Sequence, residues 1–133
     1  MGLYHAARGI SAVSIAIGIM AILFPNSVAD FFGLVIEPGQ AVGWGEIGAL
    51  YGGNFIGLGL VGVYATRRGL AEGPLLLAAI GVVWVSIAGG RLLVMLIRAS
   101  QASSPFGWAS FVVEVAVGLC FLAAARTAPL DSR

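Results

Sequence analysis

Residues 106–125 read FGWASFVVEVAVGLCFLAAA, twenty consecutive positions interrupted by one charge, Glu114. An α-helix rises about 1.5 Å per residue, so this run spans roughly 30 Å, the thickness of a bilayer's hydrocarbon core. Working back along the chain, three more runs have similar length and character. One covers residues 74–97, begins at Pro74 and contains Arg91. Another covers 42–65, contains Glu46 and ends at Arg67-Arg68-Gly69. The first covers 7–24 and is halted by Pro25. The expected fold is therefore all-α, a single antiparallel bundle of four transmembrane helices over residues 1–133, with a short interfacial segment between the first two.

Composition supports the same class. The chain has 133 residues, 59% of them hydrophobic and only 10% charged, with a mean hydropathy of +1.01. Soluble domains carry about 25% charged residues, so this chain has too little polar surface to cover itself in water. The net charge of +1 selects no partner, and all seven basic residues are arginine. No basic tract or interleaved aromatic patch points to nucleic acid.

The first run also has features of a cleaved leader. Arg8 precedes an apolar stretch, and Ser27-Val28-Ala29 offers small residues at a cleavage position. The stretch is longer than most leader cores, which favours a retained helix.

Arginine placement gives an orientation. In a four-span arrangement Arg8, Arg67, Arg68, Arg126 and Arg133 share one side, while the other has Arg98 with Asp30 and Glu37. The positive-inside rule then makes both termini cytoplasmic. The connection from Asn26 to Ala41 is external, and Asn26 or Ser27 is expected to cap a short helix ending near Gly33. Phe31, Phe32, Leu34, Val35 and Ile36 would lie in the interface, with Asp30 and Glu37 facing water.

The second span reads GEIGALYGGNFIGLGLVG over residues 45–62. Gly48-x-x-x-Gly52 and Gly53-x-x-x-Gly57 are overlapping small-residue frames of the kind that let helix backbones approach closely in lipid. They point to packing more strongly than to chemistry.

The charged residues inside the spans locate a candidate site. An ionised group at bilayer depth costs about 2.5–3.5 kcal/mol on insertion scales, so it usually faces a partner, a cavity or a ligand. Arg91 lies roughly 9–10 Å in from Ile97, and Glu114 roughly 12 Å in from Phe106. Matched depth on adjacent antiparallel helices predicts an Arg91–Glu114 ion pair. Glu46 lies near the outer mouth, with Tyr51 and Asn54 deeper on the same helix, and Trp84 shares a face with Arg91. Glu46, Tyr51, Asn54, Trp84, Arg91 and Glu114 are the candidate ligand-binding residues. Two carboxylates against one guanidinium leave an excess negative charge, which requires a protonated acid, contact with interfacial water, or a bound cation. A neutral acid beside an ionised partner also suits acid–base chemistry, which makes Glu46 and Glu114 the catalytic candidates.

Other chemistry finds no residues. His5 is the single histidine and Cys120 the single cysteine, so no zinc, haem or internal disulfide site can be assembled. No metal or cofactor is expected. The glycines lie in an apolar helix without a following Lys-Ser/Thr, which excludes a phosphate loop.

Several motifs resemble a family of small bacterial four-helix membrane proteins known as a domain of unknown function. They are LFP at 23–25, FFGL at 31–34, GEIGALYGGNFIGLGL at 45–60 with its Arg67-Arg68 end, GGRLL at 89–93, and Glu114. The chain is also similar, more distantly, to DoxX-like four-helix proteins. The resemblance implies a four-helix fold in a bacterial inner membrane, with Glu46, Tyr51, Arg91 and Glu114 at polar motif positions. It implies no activity.

Three functions fit these residues. The first is a binding or accessory membrane protein that holds a lipid-like molecule, a hydrophobic small molecule or a partner helix, alone or as a homo-oligomer or part of a larger membrane complex. The second is a membrane enzyme using Glu46 or Glu114 as general acid or base on an apolar substrate such as an isoprenoid or epoxide. The third is an oligomeric proton or ion pathway. The pathway is the weakest, because the inner half of the bundle carries no ionisable residue between the cluster and the cytoplasmic arginines.

Overall fold

Six stretches of helix account for the regular structure of the described residues. The computed structural model describes residues 2–33, 45–67, 70–97 and 105–127. Helix α1 is Gly2–Leu23 and α2 is Pro25–Phe31. A π-helical segment, Ile47–Gly53, runs directly into α3, Asn54–Ala65. Helices α4, Gly73–Ile97, and α5, Pro105–Thr127, complete the chain. The all-α class is as expected. Four stretches are long and apolar enough to cross a membrane: Gly2–Leu23, Ile47–Ala65, Gly73–Ile97 and Pro105–Thr127.

The helix ends follow local chemistry. Helix α1 starts five residues before the expected Ala7, because nothing from Gly2 to Ala6 breaks a helix. Pro25 stands in the first turn of α2 and Phe24 occupies the cap position without a side-chain hydrogen bond, so neither Asn26 nor Ser27 caps it. A proline's fixed φ and missing N–H suit that first position, which is why it starts this helix and ends the one before. Gly33, at φ +67, closes α2 in the left-handed region that glycine adopts without strain. Its N–H donates to the Asp30 carbonyl at 3.1 Å. Thr127 ends α5 by turning its hydroxyl back onto the Ala123 carbonyl at 3.2 Å. The expected roles of Leu34, Val35, Ile36, Glu37 and residues 42–44 fall outside the described residues.

Contacts divide the chain into two compact units, Arg8–Tyr64 and Met1–Ala7 with Ala65–Arg133. In the first, α1 packs on the second span through glycine. A β-carbon on Gly18 would lie 2.7 Å from the Gly52 carbonyl oxygen, and one on Gly59 would lie 2.6 Å from the Ser11 carbonyl oxygen. Residues early in α1 thus face residues late in the second span, so the two run antiparallel. The expected frames Gly48/Gly52 and Gly53/Gly57 are corrected here. Gly48 and Gly57 face open space, and Gly52 and Gly59 are the residues at the crossing. Seven residues make nearly two α-turns and keep one face, whereas the π-helical turn shifts the face on its N-terminal side. Below the crossing, Val28 and Ala29 of α2 pack with Ala21 and Ile47.

The second unit repeats the device. A β-carbon on Gly81 would lie 2.9 Å from the Gly118 carbonyl oxygen, and one on Gly118 would lie 3.0 Å from that of Gly81. Helices α4 and α5 therefore cross backbone to backbone, again antiparallel. Leu77, Ile80, Trp84 and Phe121 are buried, while Leu75, Leu93 and Val112 are exposed. Outward-facing aliphatic side chains are what lipid contact requires. At the far end of this unit Tyr4 donates to the Ala65 carbonyl at 2.9 Å, fastening the start of α1 beside α4.

Candidate functional site

The site is built from the antiparallel pair α4 and α5. Their crossing at Gly81 and Gly118 fixes the register, which brings the C-terminal half of α4 beside the N-terminal half of α5. Arg91 then lies opposite Glu114. The guanidinium donates Nε to Oε2 at 2.9 Å and to Oε1 at 3.2 Å, and Nη2 to Oε1 at 2.6 Å. This side-on, forked geometry is the strongest arrangement an arginine and a carboxylate make. The Glu114 side chain is 10% exposed and that of Arg91 is 32% exposed. The acid is thus covered, and the arginine side chain is about one third exposed. The predicted ion pair exists as expected.

Beside the pair lies an open-sided cavity of about 340 Å³, lined by Ile87, Gly90, Arg91, Val94, Met95 and Gly107. The first five residues recur along α4 at i, i+3, i+4, i+7 and i+8, one continuous stripe of a helix. Gly107 comes from the first turn of α5 and lies two turns before Glu114. A β-carbon on Gly90 would meet nothing within 4 Å. The missing side chain there is what leaves the space.

Trp84 is buried on α4, two turns before Arg91 and on the same face. The other candidates belong to the 8–64 unit. Tyr51, in the π-helical segment, is half-buried and stacks on Phe32 with ring centroids 4.7 Å apart. The Phe55 ring lies 6.3 Å from that of Tyr51, nearly parallel to it. Phe32 was expected at the membrane interface with Phe31. Phe31 is exposed, but Phe32 turns inward to Tyr51. Glu46 and Asn54 are exposed on their helix, and Asn54 donates its backbone N–H to the Ala49 carbonyl, closing the π-helical turn. Such wide turns inside an α-helix are frequent at functional positions.

Gly90, Gly107 and the aliphatic side chains of the cavity wall were not among the residues singled out from sequence. The dipeptide Gly89-Gly90 directly before Arg91 carried the signal, since two glycines beside a charge in a membrane helix leave room at that charge. Among the described residues, no group of three His, Cys, Asp or Glu side chains comes close enough to hold a metal ion.

Four apolar helices, their aliphatic outer faces and a sheltered ion pair define a small multi-pass membrane protein. No protein-family model, curated protein or solved structure matches the chain.

Proposed function

We propose that this protein binds a lipid-like molecule beside the Arg91–Glu114 pair. The supporting observation is the open-sided cavity whose wall includes Arg91, a side chain about one third exposed. Ligand sites are mostly apolar concavities of roughly 300–1,000 Å³ with a few placed polar groups, and this one is at the small end of that range. Glu114 would hold Arg91 in position, and Trp84 would support the same face of α4. The arginine distribution supports cytoplasmic termini, and the motifs at 23–25, 31–34, 45–60 and 89–93 support kinship with the four-helix family they resemble, which implies a bacterial inner membrane.

The test is native mass spectrometry of the chain released from its membrane. A bound hydrophobic molecule distinct from the bulk lipid, retained by the unaltered chain and lost in Glu114→Gln, is the expected result. Release of bulk lipid alone, unchanged in the variant, would count against the reading.

A further inference from the structure

Asn54 opens α3 and is exposed, inside a stretch long and apolar enough to cross a membrane. At about 1.5 Å per residue it stands roughly 10 Å in from Ile47 and roughly 16 Å in from Ala65. A side chain as short as asparagine's reaches neither edge, unlike the long stems of lysine and arginine. Polar groups in hydrocarbon need protein partners. Ser14 finds one on its own helix, donating to the Ile10 carbonyl at 3.0 Å. The Asn54 amide carries two donors and an acceptor. Among the described residues it makes no side-chain hydrogen bond; the residue's engaged donor is its backbone N–H, held by Ala49.

The helix face shows from where a partner must come. Successive residues of an α-helix turn by about 100°. With Gly59 pressed against α1, Asn54, Gly57, Val61 and Tyr64 all fall within about 40° of the opposite side. All four are exposed. Their spacing alternates three and four, the seam of paired helices. Gly57, one turn beyond Asn54, meets nothing within 4 Å, so another backbone can approach until a short amide is within reach. An amide is its own complement, each copy donating to the other's carbonyl. Copies inserted in one orientation are related by a two-fold axis along the membrane normal, which sets every residue opposite its counterpart at equal depth. Acyl chains offer this amide no partner.

We infer that this protein pairs with a second copy of itself through the face of α3 that carries Asn54, Gly57, Val61 and Tyr64. The two α3 helices run parallel and the Asn54 amides bond to each other. A single polar residue in such a seam fixes register and strand number. The pairing is independent of the cavity beside Arg91.

Full-length chains carrying donor or acceptor dyes at the C-terminus would be reconstituted in phosphatidylcholine vesicles and diluted with lipid. Energy transfer should persist on dilution. Asn54→Leu should move the dissociation midpoint to protein densities higher on the order of tenfold, and Asn54→Gln, also self-complementary, should restore it. Gly57→Ile should weaken pairing at an unchanged melting temperature, because the new side chain meets nothing in its own chain. In a Cys120→Ser background, oxidation of Val61→Cys should yield a disulfide-linked dimer, and Leu60→Cys, on the flank of the same helix, should not. Transfer no greater than random proximity at every dilution would overturn the inference, and so would pairing unchanged in Asn54→Leu. A melting temperature lowered by Asn54→Leu in dilute detergent, where the chains are single, would place the amide's partner within its own chain and overturn it as well.

Discussion

The two halves of this chain use the same joint and differ in what they build next to it. In the 8–64 unit α1 meets the second span at Gly18, Gly52 and Gly59; in the other, α4 meets α5 at Gly81 and Gly118. Both joints bring a backbone carbonyl within about 3 Å of where a side chain would start. Beyond the joint the first unit continues into a π-helical turn and a stack of Phe32, Tyr51 and Phe55. The second continues into a forked ion pair and a cavity. Close approach without a β-carbon is thus a generic means of association in lipid. The particular chemistry is added at the ends, where the helices diverge enough for side chains to fit.

The largest effect should come from attacking a joint. Gly59→Leu sets a side chain against the Ser11 carbonyl and the Ile15 backbone, neither of which can rotate away. Overpacking of this kind costs about 3 kcal/mol or more, read as a fall in stability on denaturant titration in detergent. If it costs no more than a surface change, the glycine joint is not what holds α1 to the second span.

Breaking the ion pair should rank next. Removing one partner of a buried pair leaves the other stranded at about 3–5 kcal/mol, and the partial exposure of Arg91 reduces this to roughly 2–3 kcal/mol. Glu114→Gln should show that loss. The double change Arg91→Met with Glu114→Leu should recover most of it, because no charge is then left behind. A double variant as unstable as the sum of the singles would mean that the two residues act separately.

The aromatic stack is worth less. Tyr51→Leu keeps most of the apolar area and loses the ring contact with Phe32, at about 1 kcal/mol. The same loss in a Phe32→Leu background would show that the stack is not the cause. Smallest of all, Gly57→Ala should be neutral or stabilising by up to about 1 kcal/mol, since helix propensity rises and the new methyl meets nothing. Gly52→Ala should destabilise, because its β-carbon would lie 2.6 Å from Ile22 Cγ1. That pair of alanines separates the observed joint from the Gly53/Gly57 frame read in the sequence.

What was legible beforehand divides along the same line. The four spans were readable because hydrophobic length is a one-dimensional property, and the Arg91–Glu114 pair because depth in two antiparallel helices follows from counting. Which glycines face a neighbour was not readable. The π-helical turn at 47–53 shifts the helix face midway, and a count of every fourth residue assumes an unbroken α-helix. Phe32 illustrates a second limit. Its neighbour Phe31 has the same hydrophobicity and turns the other way, a choice made by the packing of Val28 and Ala29 on Ile47. The cavity escaped because it depends on a missing side chain at Gly90, and composition records only what is there.

The hydroxyl of Tyr4 reaches an acceptor sixty-one positions downstream, the carbonyl of Ala65. A ribosome exposes the donor first and must finish two membrane crossings before the acceptor emerges. The latch on the first turns of α1 therefore cannot close until the end of the second crossing has been made, and its closing registers that arrival.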